Sequence, residues 1–102
     1  MLVLHILTTG DKYGYEISQM ISDLSDGLIQ VPGGSLYPSL YKLEEKGCVS
    51  EEKRLVGKRK MRAYYHIEDK GEEYLKELLK DYEDTSRGIM MILKSINDIK
   101  DK

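Results

Sequence analysis

The 102 residues contain one cysteine, two histidines and no tryptophan. A single cysteine cannot close an internal disulfide, which points to a reducing compartment. The opening stretch MLVLHILTTG is apolar but carries neither a basic n-region nor a small-residue cleavage site, so no secretory signal is expected. No apolar run approaches the roughly 20 residues that cross a bilayer. The expectation is a cytoplasmic chain with no membrane partner. His5 and His66 stand apart from each other and from any cysteine pair or carboxylate cluster at ligand spacing, which argues against a metal. There is no glycine-rich loop ahead of Lys-Ser/Thr and no Ser-His-Asp set. Glu44-Glu45 and Glu72-Glu73 have no partner base. Neither catalysis nor a cofactor is expected. The chain also lacks a positive balance: 16 Lys+Arg stand against 18 Asp+Glu, a formal net charge of −2, whereas most nucleic-acid binders are basic.

At 40% hydrophobic and 33% charged residues the composition is that of a folded domain. So short a chain buries only about two thirds of its surface alone, so a partner subunit would help. Residues 1–9 read as a helix that Leu2, Val3, Leu4, Ile6 and Leu7 make apolar on nearly every side, and such helices are normally buried. From Tyr13 to Leu24, the apolar residues Ile17, Met20, Ile21 and Leu24 fall at i, i+3, i+4 and i+7 of an amphipathic helix. A third helix is expected from Ser35, its N-cap, to Lys46, with Pro38 in the first turn and Gly47 just past the end. Its Leu36, Leu40 and Leu43 share one face, with Tyr37 and Tyr41 at the flank.

Two runs follow, Cys48–Val56 and Met61–Ile67, with a turn at Gly57 between them. In the second, Ala63, Tyr65 and Ile67 alternate with Arg62, Tyr64 and His66, the period of a half-buried strand. The spacing predicts a two-stranded hairpin with Tyr65 in the core, and Cys48 reads as a small buried hydrophobe. Asp69 with Glu72 predicts a capping box opening a last helix that reaches Asn97. Along it Leu75, Leu79, Tyr82, Ser86, Ile89, Leu93 and Ile96 step alternately by four and three residues, a heptad seam with one polar member. Such a helix runs about 40 Å, and a domain of about 100 residues has a radius of gyration near 13 Å. Its own core cannot cover the helix, so a second copy of the chain is the expected partner.

Divided by segment, the charge is uneven. Residues 1–34 carry −3, residues 35–47 carry zero, residues 48–66 carry +4 and residues 67–102 carry −3. The window KRLVGKRKMR from Lys53 to Arg62 holds six cations and no acid. A basic turn alone is usually only a solvated surface. Here it follows three helices, and three helices with a hairpin make a winged helix-turn-helix, whose third helix enters the major groove while the hairpin touches the backbone. The expected class is therefore mainly α with a small β-hairpin (α+β). Residues 1–67 would form the winged DNA-binding unit and residues 68–102 a long C-terminal dimerisation helix.

Gly14-Tyr15-Glu16-Ile17 at the second helix, Gly34-Ser35-Leu36-Tyr37-Pro38-Ser39-Leu40 at the third, and Tyr64-Tyr65-His66-Ile67 leading into Gly71 together resemble the PadR family of transcriptional regulators. The single C-terminal helix is similar to that of its smaller subfamily. The resemblance implies a homodimer paired through the C-terminal helices, near-palindromic operator DNA as partner, and repression relieved by an effector. It implies that Tyr15 meets a phosphate, that Ser35, Tyr37, Ser39 and Lys42 face the major groove, and that Lys58, Arg59, Lys60 and Arg62 supply the wing. Leu75, Leu79, Tyr82, Ile89, Leu93 and Ile96 would form the dimer seam. Met61 stands where the family's wing often carries a proline, and the absence of tryptophan separates this chain from members that stack flat drugs between paired tryptophans. Two other readings fit the same residues. One is a winged-helix module whose hairpin binds an acidic protein. The other is a small-ligand sensor whose dimer interface holds an apolar effector, in a pocket lined by Tyr82, Met90 and Met91.

Overall fold

A computed structural model describes residues 1–101 of the chain. Its elements run α1 (Leu2–Leu7), β1 (Lys12–Tyr13), α2 (Gly14–Leu24), α3 (Gly33–Glu45), β2 (Val49–Val56), β3 (Lys60–Ile67) and α4 (Asp69–Lys100). The three strands form one antiparallel sheet in the order β1-β3-β2. This is the mainly α winged helix-turn-helix expected from the periodicities, enlarged by one strand.

The core is built from the apolar stripes of these elements. Val3, Leu4, Ile6 and Leu7 of α1, Ile17 and Ile21 of α2, and Leu36 and Leu40 of α3 meet Val49, Tyr65 and Ile67 of the sheet and Leu75 of α4. Cys48 lies among them as a buried free thiol, and Met20 and Leu43 pack against the cluster. Burial of Tyr65 pushes its phenol up to about 12. Leu24 does not join: it is 74% exposed at the last position of α2, where the helix has run past the core.

Local rules explain most of the boundaries. The Glu16 carboxylate accepts a hydrogen bond from the Tyr13 amide at 3.2 Å and so satisfies a free donor at the start of α2. At the end of α3, Gly47 has φ +74°, its amide donates to the Glu44 carbonyl at 2.9 Å, and the Cys48 amide donates to the Leu43 carbonyl at 2.8 Å. That pair of bonds is a Schellman stop, which needs the left-handed conformation glycine allows.

Four expectations need correction. Ser35 is not a helix cap: α3 begins at Gly33 behind Pro32, with no side-chain cap, and Ser35 is its third residue. Pro38 is consequently inside the helix rather than in its first turn. Asp69 and Glu72 do not form a capping box; Glu68 is the N-cap, without a side-chain bond, and both acids sit in the first turn. There they complement the positive end of the helix dipole. Finally, the hairpin has a third strand, because Lys12 pairs with Tyr65 and Tyr13 with Tyr64.

The helix α4 is 32 residues long, about 48 Å at the standard rise. Tyr74, Leu75, Leu78 and Leu79 pack on the core of the same chain. Beyond them the helix projects, and its apolar side chains Tyr82, Ile89, Leu93 and Ile96 are between 43% and 57% exposed. The projection stretches the molecule to 69 × 28 × 21 Å and raises the radius of gyration to 17.8 Å. No helix among the described residues is long and apolar enough to cross a membrane.

Candidate nucleic-acid interface

The expected DNA contacts lie on three parts of the winged unit, the start of α2, α3 and the β2–β3 hairpin, and Tyr15, Tyr37 and Arg62 of these line one cleft. Tyr15, the second residue of α2, is 67% exposed. On α3, Ser35, Tyr37, Ser39 and Lys42 all reach solvent, but they do not form a single row. At about 100° per residue, Ser35, Ser39 and Lys42 share a stripe while Tyr37 lies roughly 140–160° away. Ser39 donates to the Ser35 carbonyl at 3.1 Å within that stripe. Ser39 and Lys42 border a groove with Met1, Leu2, Tyr74 and Leu78. The Tyr37 ring instead turns toward α2 and covers Gly14 so closely that a Cβ there would meet its ring carbons at 2.8–3.0 Å. Tyr37 and Tyr41 lie side by side, their ring centroids 6.4 Å apart.

The hairpin register pairs Val56 with Lys60, which leaves Gly57, Lys58 and Arg59 as the turn. Lys58, Arg59, Lys60 and Arg62 are exposed, and among the described residues none lies within ion-pair distance of a carboxylate. Arg54, counted in the same basic window, is different. Its guanidinium bonds the Asp11 carboxylate at 2.6 Å and Glu52 at 3.3 Å. His66 Nδ1 lies 2.7 Å from the other oxygen of Asp11. The hydrogen bond from His66, then that from Arg54, holds the Asp11 carboxyl below its ordinary range, and the Asp11 carboxylate raises His66 in turn. Asp11 thus ties the loop ahead of β1 to both strands of the wing.

The sequence did not single out the aromatic side of this surface. The Arg62 guanidinium lies over the Tyr13 ring at 4.4 Å and that of Arg54 over Tyr64 at 4.6 Å. The two rings meet edge to face, with centroids 5.5 Å apart and planes at 75°. The alternation in β3 already put Arg62, Tyr64 and His66 on one face. Tyr13 carries no such signal, because a two-residue strand has no period.

Among the described residues no group of three or more His, Cys, Asp or Glu could hold a metal ion. On α4, Met90 and Met91 are exposed beside Arg87, Lys94 and Asp98. Tyr82 is exposed on the same helix but does not line that surface.

The sequence profile of the Transcriptional regulator PadR-like family matches residues 3–77. An uncharacterised protein of Lysinibacillus sphaericus is 30% identical over 95 residues, 93% of this chain and 87% of that one. Among solved structures, a transcriptional regulator from Clostridium thermocellum is 33% identical with a TM-score of 0.81, over 86% of this chain and 85% of that one. The structure of Bacillus subtilis PadR in complex with operator DNA has the same fold, with a TM-score of 0.71 at 23% identity, over 76% of this chain and 44% of that one.

Proposed function

The chain belongs to the PadR-like family of transcriptional regulators, which are not enzymes, and from that premise we propose that it binds operator DNA as a homodimer. In this reading residues 1–67 carry the DNA contacts and residues 68–102 carry association, the first turns of α4 serving the core as well. The observation that carries it is the wing: the only strongly positive segment of an acidic chain folds into a projecting hairpin whose tip cations Lys58, Arg59 and Lys60 are exposed and without ion-pair partners among the described residues. Such cations release counterions when they meet phosphates, and the acidic segments lie elsewhere in the chain. The solved operator complex of B. subtilis PadR supports the same reading by its shared fold.

Tyr15 would meet a phosphate at the start of α2. Ser35, Ser39 and Lys42 would read base edges from one stripe of α3, with Tyr37 contacting DNA from the α2 side of the same helix. Arg62 would join the tip cations on the backbone. Two α3 helices about 34 Å apart would match half-sites one turn apart. Repression, and its release by a small effector, follow from the family resemblance.

The test is selection from random duplex DNA with the full chain, followed by binding titrations at several salt concentrations. Enrichment of a near-palindromic sequence bound with a steep salt dependence is expected. No enrichment, or binding indifferent to salt, would overturn the reading.

A further inference from the structure

On the register of the hairpin, Arg54 and Arg62 stand directly opposite each other on β2 and β3. Like charges in that position repel. The outer face of the sheet separates them by placing each guanidinium over a different tyrosine ring, Arg54 over Tyr64 and Arg62 over Tyr13, with the two rings in edge-to-face contact. The two arginines then diverge in role. The charge of Arg54 is answered by Asp11 and Glu52. Arg62 has no carboxylate within 4 Å among the described residues, and it opens onto a 460 Å³ cleft that Tyr15, Tyr37 and Met61 also line.

A guanidinium held over one ring face has five N–H donors, more than that contact uses, and its planar fork suits a phosphate bidentately. We propose that Tyr13 is a positioning residue for DNA binding, its ring holding the Arg62 guanidinium over the cleft with those donors presented to one backbone phosphodiester. The proposal rests on the DNA-binding reading and adds a residue outside the contacts assigned above. Tyr13 suits the role because its backbone is held twice, by pairing with Tyr64 and by the bond from its amide to Glu16. Its side chain can therefore change without moving the strand. The benefit is a side chain ordered before DNA arrives, so less freedom is lost on binding.

The experiment measures affinity of the full chain for a short mixed-sequence duplex at low salt, since a phosphate contact is independent of sequence. The variants are Tyr13→Leu, Tyr13→Phe, Arg62→Ala and the double Tyr13→Leu/Arg62→Ala. Arg62→Ala is expected to weaken binding and reduce the salt slope by about 1. Tyr13→Leu should weaken binding about 3- to 10-fold. It should have no further effect once Arg62 is gone, and Tyr13→Phe, which keeps the ring, should restore most of the loss. A merely structural tyrosine would weaken both backgrounds equally, and that result would overturn the proposal. So would equal losses for Tyr13→Phe and Tyr13→Leu, which would mean that the hydroxyl itself touches DNA. If the wild type binds and Arg62→Ala does not change it, the proposal fails and the DNA reading stands. If the wild type does not bind duplex DNA, both fail.

Discussion

At Gly71 the first turn of α4 comes against the residue just before β2 so closely that an added Cβ would overlap the Cys48 carbonyl oxygen and meet Ile67 Cγ1 at 3.0 Å. That carbonyl already accepts the Glu68 amide at 2.9 Å, so neither backbone can yield independently. Gly71→Ala should destabilise the fold by about 1–3 kcal/mol, the usual cost of overpacking, read as a lower urea midpoint at an unchanged m-value. The Asp11, His66 and Arg54 cluster gives a pH signature. His66 is raised in the folded state, so its contribution is full below its unfolded pKa and fades as pH rises through the folded value. Asp11 is lowered, so its contribution is present above its unfolded pKa and is lost as pH falls through the folded value. Thermal stability should therefore be greatest in a window from roughly pH 4 to 6.5, with His66→Asn removing the decline on its alkaline side. The effect will be small, because the His66 side chain is 55% exposed. A midpoint that His66→Asn leaves with the same pH profile would show that the contact does not contribute.

The wing illustrates how an element was partly legible. Alternation in β3 located its inner and outer faces, since the period of two survives without tertiary information. The strand β1 was not legible: Lys12 and Tyr13 have no pattern of their own and become a strand only because β3 lies within hydrogen-bonding reach. The beginning of α3 moved for a similar reason. Ser35 has the chemistry of a cap, but the turn at Pro32 starts the helix earlier, the Ser35 and Leu36 amides both donating to the Pro32 carbonyl at 2.9 Å. The wing also predicts a measurement. Each phosphate neutralised on B-DNA contributes about 0.9 to the slope of log K against log salt. Replacing Lys58, Arg59 and Lys60 together by Ala should flatten that slope by about 2 to 3, with similar losses on any duplex sequence. An unchanged slope would mean that the tip does not meet phosphate.

At the scale of the molecule, α4 divides in two. Leu75, 6% exposed, and the half-buried Leu79 serve the core of their own chain, so the available part of the seam begins at Tyr82. From Ile89 to Leu93 five consecutive residues are apolar and exposed. At about 100° per residue they girdle the helix, a pattern expected of buried helices and not of solvated ones. Ile89→Glu with Leu93→Glu should convert a dimer to a particle of 11.8 kDa in sedimentation and reduce operator affinity more than about tenfold. The winged unit should stay folded, because neither residue touches its core. This pair is a cleaner test than one including Leu79, whose replacement would also damage the core. A double variant that remains dimeric would remove the seam from the interface.

Periodicity and local chemistry determined the helices, the hairpin, the Gly47 stop and the existence of an apolar seam longer than one domain can cover. These depend on neighbours a few residues apart in sequence, and such neighbours are visible without a fold. Only the tertiary structure decided which seam residues the chain buries itself, that Tyr37 turns toward Gly14, that Arg54 is neutralised while Arg62 meets no carboxylate among the described residues, and that Tyr13 lies beneath Arg62. Each of those depends on groups brought together across the sheet or between helices. A charge or an aromatic ring acquires its role from such a neighbour, and the distance between them in sequence carries no trace of it.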